Sequence, residues 1–244
     1  MKDQLLDIVQ HTHGLGIASI VKISGTQDET RIDTVAEGRT VILQGKFKGP
    51  IAEFIGTFGM PNLGKLNTIL NIPEYDEDPA ITVTTKKEDK GNVVPDGIIF
   101  ENKIGDFKNE YRFMSETVLP PDIKENVIMR KVAWDVDIIP TNAAAQRLKF
   151  QASANSEEPN VVVNIENGDL KFYFGDHSTH AGNFVFQSGV PGKLKSSRPY
   201  PVAPIIGILG LPGDKTFKIT DGLIMITVDS GIAEYNYMIP SKSK

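Results

Sequence analysis

The chain has 244 residues, 40% of them hydrophobic and 23% charged, with no cysteine and a formal net charge of −5. That length holds one large domain or two of about 120 residues, the composition is that of a folded protein, and the missing thiols exclude disulfides, cysteine nucleophiles and cysteine metal sites. An acidic net charge also argues against a nucleic-acid partner, unless the cations are segregated from the acids.

In chain order, Asp3–His11 reads as a helix with Leu5, Leu6, Ile8 and Val9 on a broad apolar face. Ala18–Ser24 and Thr40–Phe47 are strands, and Leu63, Leu66, Ile69 and Leu70 repeat at helical spacing between Pro61 and Pro73. The acidic turn Glu74–Asp78 precedes a strand at Ala80–Thr85. Glu116–Lys131, with its Pro-Pro pair, reads as an extended connector. After a strand at Trp134–Ile138, Thr141 caps a helix running to about Ala154 with Ala144, Ala145, Leu148 and Ala152 as its stripe. Val161–Ile165 and Leu170–Phe174 form a hairpin around Asn167-Gly168, followed by a strand at Asn183–Gln187. Pro201–Leu211 is a fourth candidate helix, although Pro204, Gly207 and Gly210 oppose a regular one. Leu223–Val228 and Ile232–Met238 close the chain, with turns at Asp221-Gly222 and Asp229–Gly231.

This order is helix, strands, helix, strands, run through twice. The expected fold class is therefore α+β, with two similar β-rich domains at 1–115 and 134–244 joined by a connector at 116–133. No direct similarity between the halves is visible, so the repeat is one of architecture. The longest apolar stretches, such as Pro201–Pro212, fall short of the roughly 18 residues of a membrane span, and Met1–Leu6 runs into Asp7 instead of an apolar signal region. No membrane partner and a cytoplasmic location are expected.

The charges are segregated. No Asp or Glu occurs from Gly38 to Ala52, Phe54 to Pro73, Ile138 to Ser156, or His177 to Gly213, while Arg39, Lys46, Lys48, Lys65, Arg147, Lys149, Lys193, Lys195 and Arg198 remain in those windows. An acid-free basic surface suits weak, sequence-independent contact with phosphates, although any surface helix carries flanking charges. The first helix dissents, because Asp3 and Asp7 accompany Lys2.

No catalytic constellation is legible. The pairs His11/His13 and His177/His180 have the residue type for zinc, but no carboxylate spacing supports a site, and they read as loop histidines. Glu74, Asp76, Glu77 and Asp78 lack the EF-hand spacing and read as a solvated loop. Phosphate-cradling, nucleophile-elbow and dinucleotide motifs are missing, so no enzyme activity, metal or cofactor is expected.

Three blocks, Gln4–Gln10 (QLLDIVQ), Phe58–Pro73 (FGMPNLGKLNTILNIP) and Trp134–Phe150 (WDVDIIPTNAAAQRLKF), together with the closing run Pro212–Pro240, resemble the DNA polymerase sliding clamps of T-even-like and cyanophage tailed bacteriophages. The resemblance implies the DNA clamp fold: a homotrimeric ring with helices on its inner face and sheets outside, closed around double-stranded DNA. It implies a processivity factor that tethers the replicative DNA polymerase and is loaded by an ATP-dependent clamp loader in the infected host's cytoplasm. Lys65, Arg147, Lys149, Lys193, Lys195 and Arg198 would then touch phosphates without reading bases. The family's partner pocket near the connector would draw on Leu119, Ile128, Met129, Met238, Ile239 and Pro240, with Val118 and Val127 beside them. The aspartates of the first helix and the helix-poor Pro201–Leu211 depart from that pattern. A structural virion or baseplate protein, a β-rich chain that oligomerises without DNA, is the competing class, and a β-rich hydrolase is a third.

Overall fold

In the computed structural model, which describes residues 1–87, 91, 93–125, 132–176 and 180–242, alternating apolar side chains build the strands of two units. One unit gathers Met1–Glu37, Leu43–Val127 and Ser230–Tyr235, the other Gly38–Ile42, Ile128–Asp229 and Asn236–Lys244.

The first unit runs α1 (Lys2–His11), β1 (Val21–Gly25), β2 (Thr30–Val35), β3 (Ile42–Phe47), β4 (Gly56–Met60), α2 (Leu63–Leu70), β5 (Ala80–Lys87), β6 (Val93–Glu101), β7 (Lys108–Arg112), β8 (Met114–Ser115) and α3 (Pro121–Lys124). Its strands are ordered β8-β4-β1-β2-β3 and β5-β6-β7. Pairing of β1 with β2 and β4 is antiparallel, and so is pairing within the second sheet. Helices α1 and α2 touch each other. Leu5, Ile8 and Val9 from α1 and Leu63, Leu66, Ile69 and Leu70 from α2 are buried, as their spacing requires. Phe54, Phe58 and Phe113 pack edge-on and stacked in the same core.

The second unit runs β9 (Val136–Ile138), α4 (Asn142–Ala154), β10 (Asn160–Glu166), β11 (Asp169–Phe174), β12 (Gly182–Gln187), β13 (Arg198–Pro201), α5 (Val202–Leu209), β14 (Asp214–Thr220), β15 (Leu223–Asp229) and β16 (Ala233–Pro240), whose first residues belong to the other unit. The strand orders are β16-β15-β14-β9 and β12-β11-β10-β13. The β10–β11 turn is Asn167-Gly168, both at positive φ, as a two-residue hairpin loop demands. Helices α4 and α5 touch, α4 lies on β12 and α5 on β15. Phe172, Phe186 and Phe217 form the centre of this core.

Two expectations are corrected, and a weakly signalled helix is observed. The connector is not extended over its first half: Glu116–Val118 and α3 are helical turns, and the buried Lys22 ammonium donates to the Lys124 carbonyl at 3.3 Å. Residues 126–131 lie outside the described residues. The fourth candidate helix forms, over Val202–Leu209. Pro204 is its third residue, where an N–H would have no acceptor inside the helix, and burial of Val202, Ile205, Ile208 and Leu209 outweighs the propensity of Gly207. His11 is no loop residue: it ends α1 fully buried, its ring stacked on Tyr235 at 4.3 Å.

Candidate nucleic-acid interface

The Thr141 hydroxyl accepts a hydrogen bond from the Ala144 N–H at 3.1 Å and so starts α4. Ala144 and Leu148 anchor the buried side, leaving Gln146, Arg147, Lys149 and Phe150 exposed. Arg147 is held in place: its guanidinium donates to the Val185 carbonyl of β12 at 3.0 Å and lies over the Phe184 ring, 5.3 Å from the centroid. Lys149 projects from the far side of the Leu148 stripe.

Lys65 sits exposed in the first turn of α2. Asn62 adopts the left-handed conformation there and accepts from the Lys65 N–H at 2.8 Å. The His13 ring packs over Gly64, 3.2 Å from where a Cβ would stand, so a larger residue beside Lys65 would have to displace that ring.

Lys193 and Lys195 are exposed on the segment between β12 and β13. That segment is pinned by the Val190 N–H on the Gly168 carbonyl at 2.8 Å and by Gly192, whose positive φ brings it flush against the Asp135 carbonyl. Arg198 differs from both lysines. Its Nε donates to Asp221 Oδ1 at 2.8 Å, and the pair holds the Asp221 carboxyl below, and the Arg198 guanidinium above, their ordinary ranges.

The structure thus brings Arg147 and Lys149 together on one helix and Lys195 and Arg198 together around Asp221, while Lys65 stands on the other unit. No basic residue lies on α5. The dissent of the first helix is halved, because Asp7 is not a surface charge. Its Oδ2 accepts from the Tyr235 hydroxyl at 2.7 Å and the Ser230 hydroxyl at 3.1 Å. Lys2 is paired with Asp76 at 3.0 Å.

Of the residues drawn from the family's partner pocket, Leu119, Met238 and Ile239 are buried and Pro240 is half-buried, while Ile128 and Met129, with Val127, lie outside the described residues. Leu119 packs on the bare backbone of Gly59 in β4, and the end of β16 is tied down by the Ser241 N–H on the Gly222 carbonyl and the Lys242 N–H on the Pro199 carbonyl, both 2.9 Å. Among the described residues of this stretch, Val118 is the large apolar side chain that stands exposed, 64% accessible. His177 is outside the described residues and His180 is exposed. Among the described residues no three His, Asp or Glu side chains converge as a metal site would require, and no helix is long and apolar enough to cross a membrane.

No protein-family model and no curated protein sequence matches the chain. The structure does match solved structures along its whole length. PCNA from A. fulgidus, solved with the C-terminal region of FEN-1 bound, superposes with a TM-score of 0.71 at 9% identity, over 100% of this chain and 96% of that one. PCNA from Thermococcus kodakaraensis gives 0.66 at 10% identity, over 99% and 97%. The fold is the DNA clamp fold. At such low identity the correspondence lies in the order and pairing of elements, which is why the site residues above are argued from this chain's own geometry.

Proposed function

We propose that this protein is a DNA sliding clamp, a topological tether with no reaction of its own. The observation that carries the reading is the correspondence to PCNA over 100% of this chain and 96% of the other. Two units per chain fit a ring of three copies, and the smaller sheets end at β7 in one unit and β12 in the other, edges that a neighbouring copy can cover when rotation closes the ring. Lys65, Arg147, Lys149, Lys193 and Lys195 supply phosphate contacts that read no bases. Arg198, engaged by Asp221, contributes less. A clamp must slide, and a few exposed cations on acid-free windows give weak contact of that kind.

The replicative polymerase and an ATP-dependent clamp loader are the partners this reading requires, docking near the connector around Val118. The phage assignment, and with it action in an infected bacterium's cytoplasm, rests on the sequence blocks Gln4–Gln10, Phe58–Pro73 and Trp134–Phe150.

Native mass by light scattering across concentration tests the ring: a species three times the 26.8 kDa chain is expected. Loaded protein should stay on nicked circular DNA and leave once the circle is cut. A monomer or an even-numbered oligomer throughout would overturn the trimer, and assembly with no retention on circles would point to a structural virion role.

A further inference from the structure

We propose that Phe150 is a base-stacking contact for single-stranded nucleic acid. This goes beyond a clamp on duplex DNA, where phosphates are presented and base faces are hidden. Phe150 is 70% exposed although it lies within a helix whose buried stripe, Ala144 and Leu148, could have taken an apolar side chain. At 100° per residue it points about 200° away from Leu148, so the ring stands on the outer face of the helix.

Its surroundings say what fits there. One turn back on the same face are Gln146 and Arg147, one turn on are Ser153 and Ala154, and Lys149 flanks the other side. No acid occurs between Asp137 and Glu157. Lys149, the adjacent residue, is exposed, and Arg147, one turn back, has its guanidinium ordered by the Val185 carbonyl and the Phe184 ring. A single exposed aromatic ring between cations, with an amide side chain nearby, is the chemistry of a single-strand platform: the ring stacks on a base face and the cations meet the phosphates. A protein partner is the poorer fit, because three of the ring's four neighbours at helical spacing, Gln146, Arg147 and Ser153, are polar, and a stable protein interface is built on a wider apolar area than one exposed ring offers.

The test uses the full chain at low salt, with a labelled oligothymidylate and a duplex of equal length as probes in anisotropy titrations. Phe150→Ala is expected to weaken single-strand binding roughly tenfold and to leave duplex binding within about twofold. Phe150→Leu should behave like the alanine variant, and Phe150→Trp should bind as wild type and show quenching of its added tryptophan by the oligonucleotide. Unchanged single-strand binding in Phe150→Ala, equal loss for both probes, full rescue by leucine, or loss of self-association with nucleic-acid binding intact would each overturn the proposal. A trimer whose single-strand binding is indifferent to Phe150 overturns only this inference, whereas Phe150-dependent stacking by a chain that never forms a trimer overturns only the clamp reading.

Discussion

Arg198 and Asp221 are joined by two nitrogen–oxygen contacts, 2.8 Å from Nε to Oδ1 and 3.4 Å from the terminal nitrogen to Oδ2, tying the start of β13 to the β14–β15 turn. A guanidinium already facing a carboxylate gains less from a phosphate than an exposed ammonium does. Lys195→Ala should therefore lower the slope of log affinity against log salt on short duplex DNA by about 0.9, and Arg198→Ala by less than half of that. Equal slopes would return Arg198 to the phosphate-contacting set.

The same pair makes a pH prediction. Hydrogen bonds from Arg198 and then Ser196 hold the Asp221 carboxyl below its ordinary range. A group whose folded pKa is depressed stabilises the fold above its unfolded pKa, and that contribution disappears as the pH falls through the depressed value. Asp221→Asn should thus lower the melting temperature at neutral pH, and the gap to wild type should close on acidification below about pH 4. Since the pair is exposed, added salt should narrow the gap at neutral pH as well.

Arg147 has two roles and Lys149 one. Removing Arg147 takes a charged donor from the Val185 carbonyl and a cation from the face of Phe184. Arg147→Ala should cost about 1 kcal/mol in urea unfolding and also weaken duplex binding. Lys149→Ala should weaken binding to a similar degree with stability unchanged to within about 0.5 kcal/mol. Loss of stability in both variants would mean that Lys149, too, is structural.

Asp7 should prove a stability residue. Asp7→Ala strips an acceptor from the buried Tyr235 hydroxyl and one from Ser230, and removes the carboxylate oxygen that stands 3.4 Å from His11 Nδ1. The expected loss is about 2 kcal/mol, with Asp7→Asn milder because one acceptor oxygen remains. DNA affinity per folded molecule should not rise, as it would if Asp7 were a surface charge repelling phosphates. Denaturant midpoints and anisotropy on the same preparations separate the two cases.

Asp7 also shows where sequence reading stops. Periodicity placed it correctly within a helix, but its partners Ser230 and Tyr235 are 223 and 228 residues away, and no local signal announces such a pairing. The Asn167-Gly168 turn was legible because its two positive φ values are a property of the residues themselves. Strand β6 was not, because Pro95 and Gly97 have low strand propensity; Pro95 is tolerated where the pairing with β5 shifts register at Thr84/Thr85. The cations of α4 were legible from helical phase, whereas the engagement of Arg147 by β12 and of Arg198 by Asp221 required the tertiary fold. Phe150 carried a signal that phase alone could have raised, an aromatic ring on the side opposite Leu148.

The connector separates packing from recognition. Leu119 is 4% exposed and fills the space over Gly59, where an added Cβ would stand 2.6 Å from its Cδ2, while its near neighbour Val118 is 64% exposed. Leu119→Ala should therefore destabilise the first unit by about 2–4 kcal/mol through the cavity it leaves. Val118→Asp should change stability by less than about 0.5 kcal/mol, since it touches open solvent. If partners dock beside the connector, Val118→Asp alone should abolish polymerase stimulation while the native mass stays unchanged. Stimulation that survives Val118→Asp would move the docking surface away from this stretch, and stimulation lost only in parallel with melting in Leu119→Ala would leave that residue a purely structural part of the sheet.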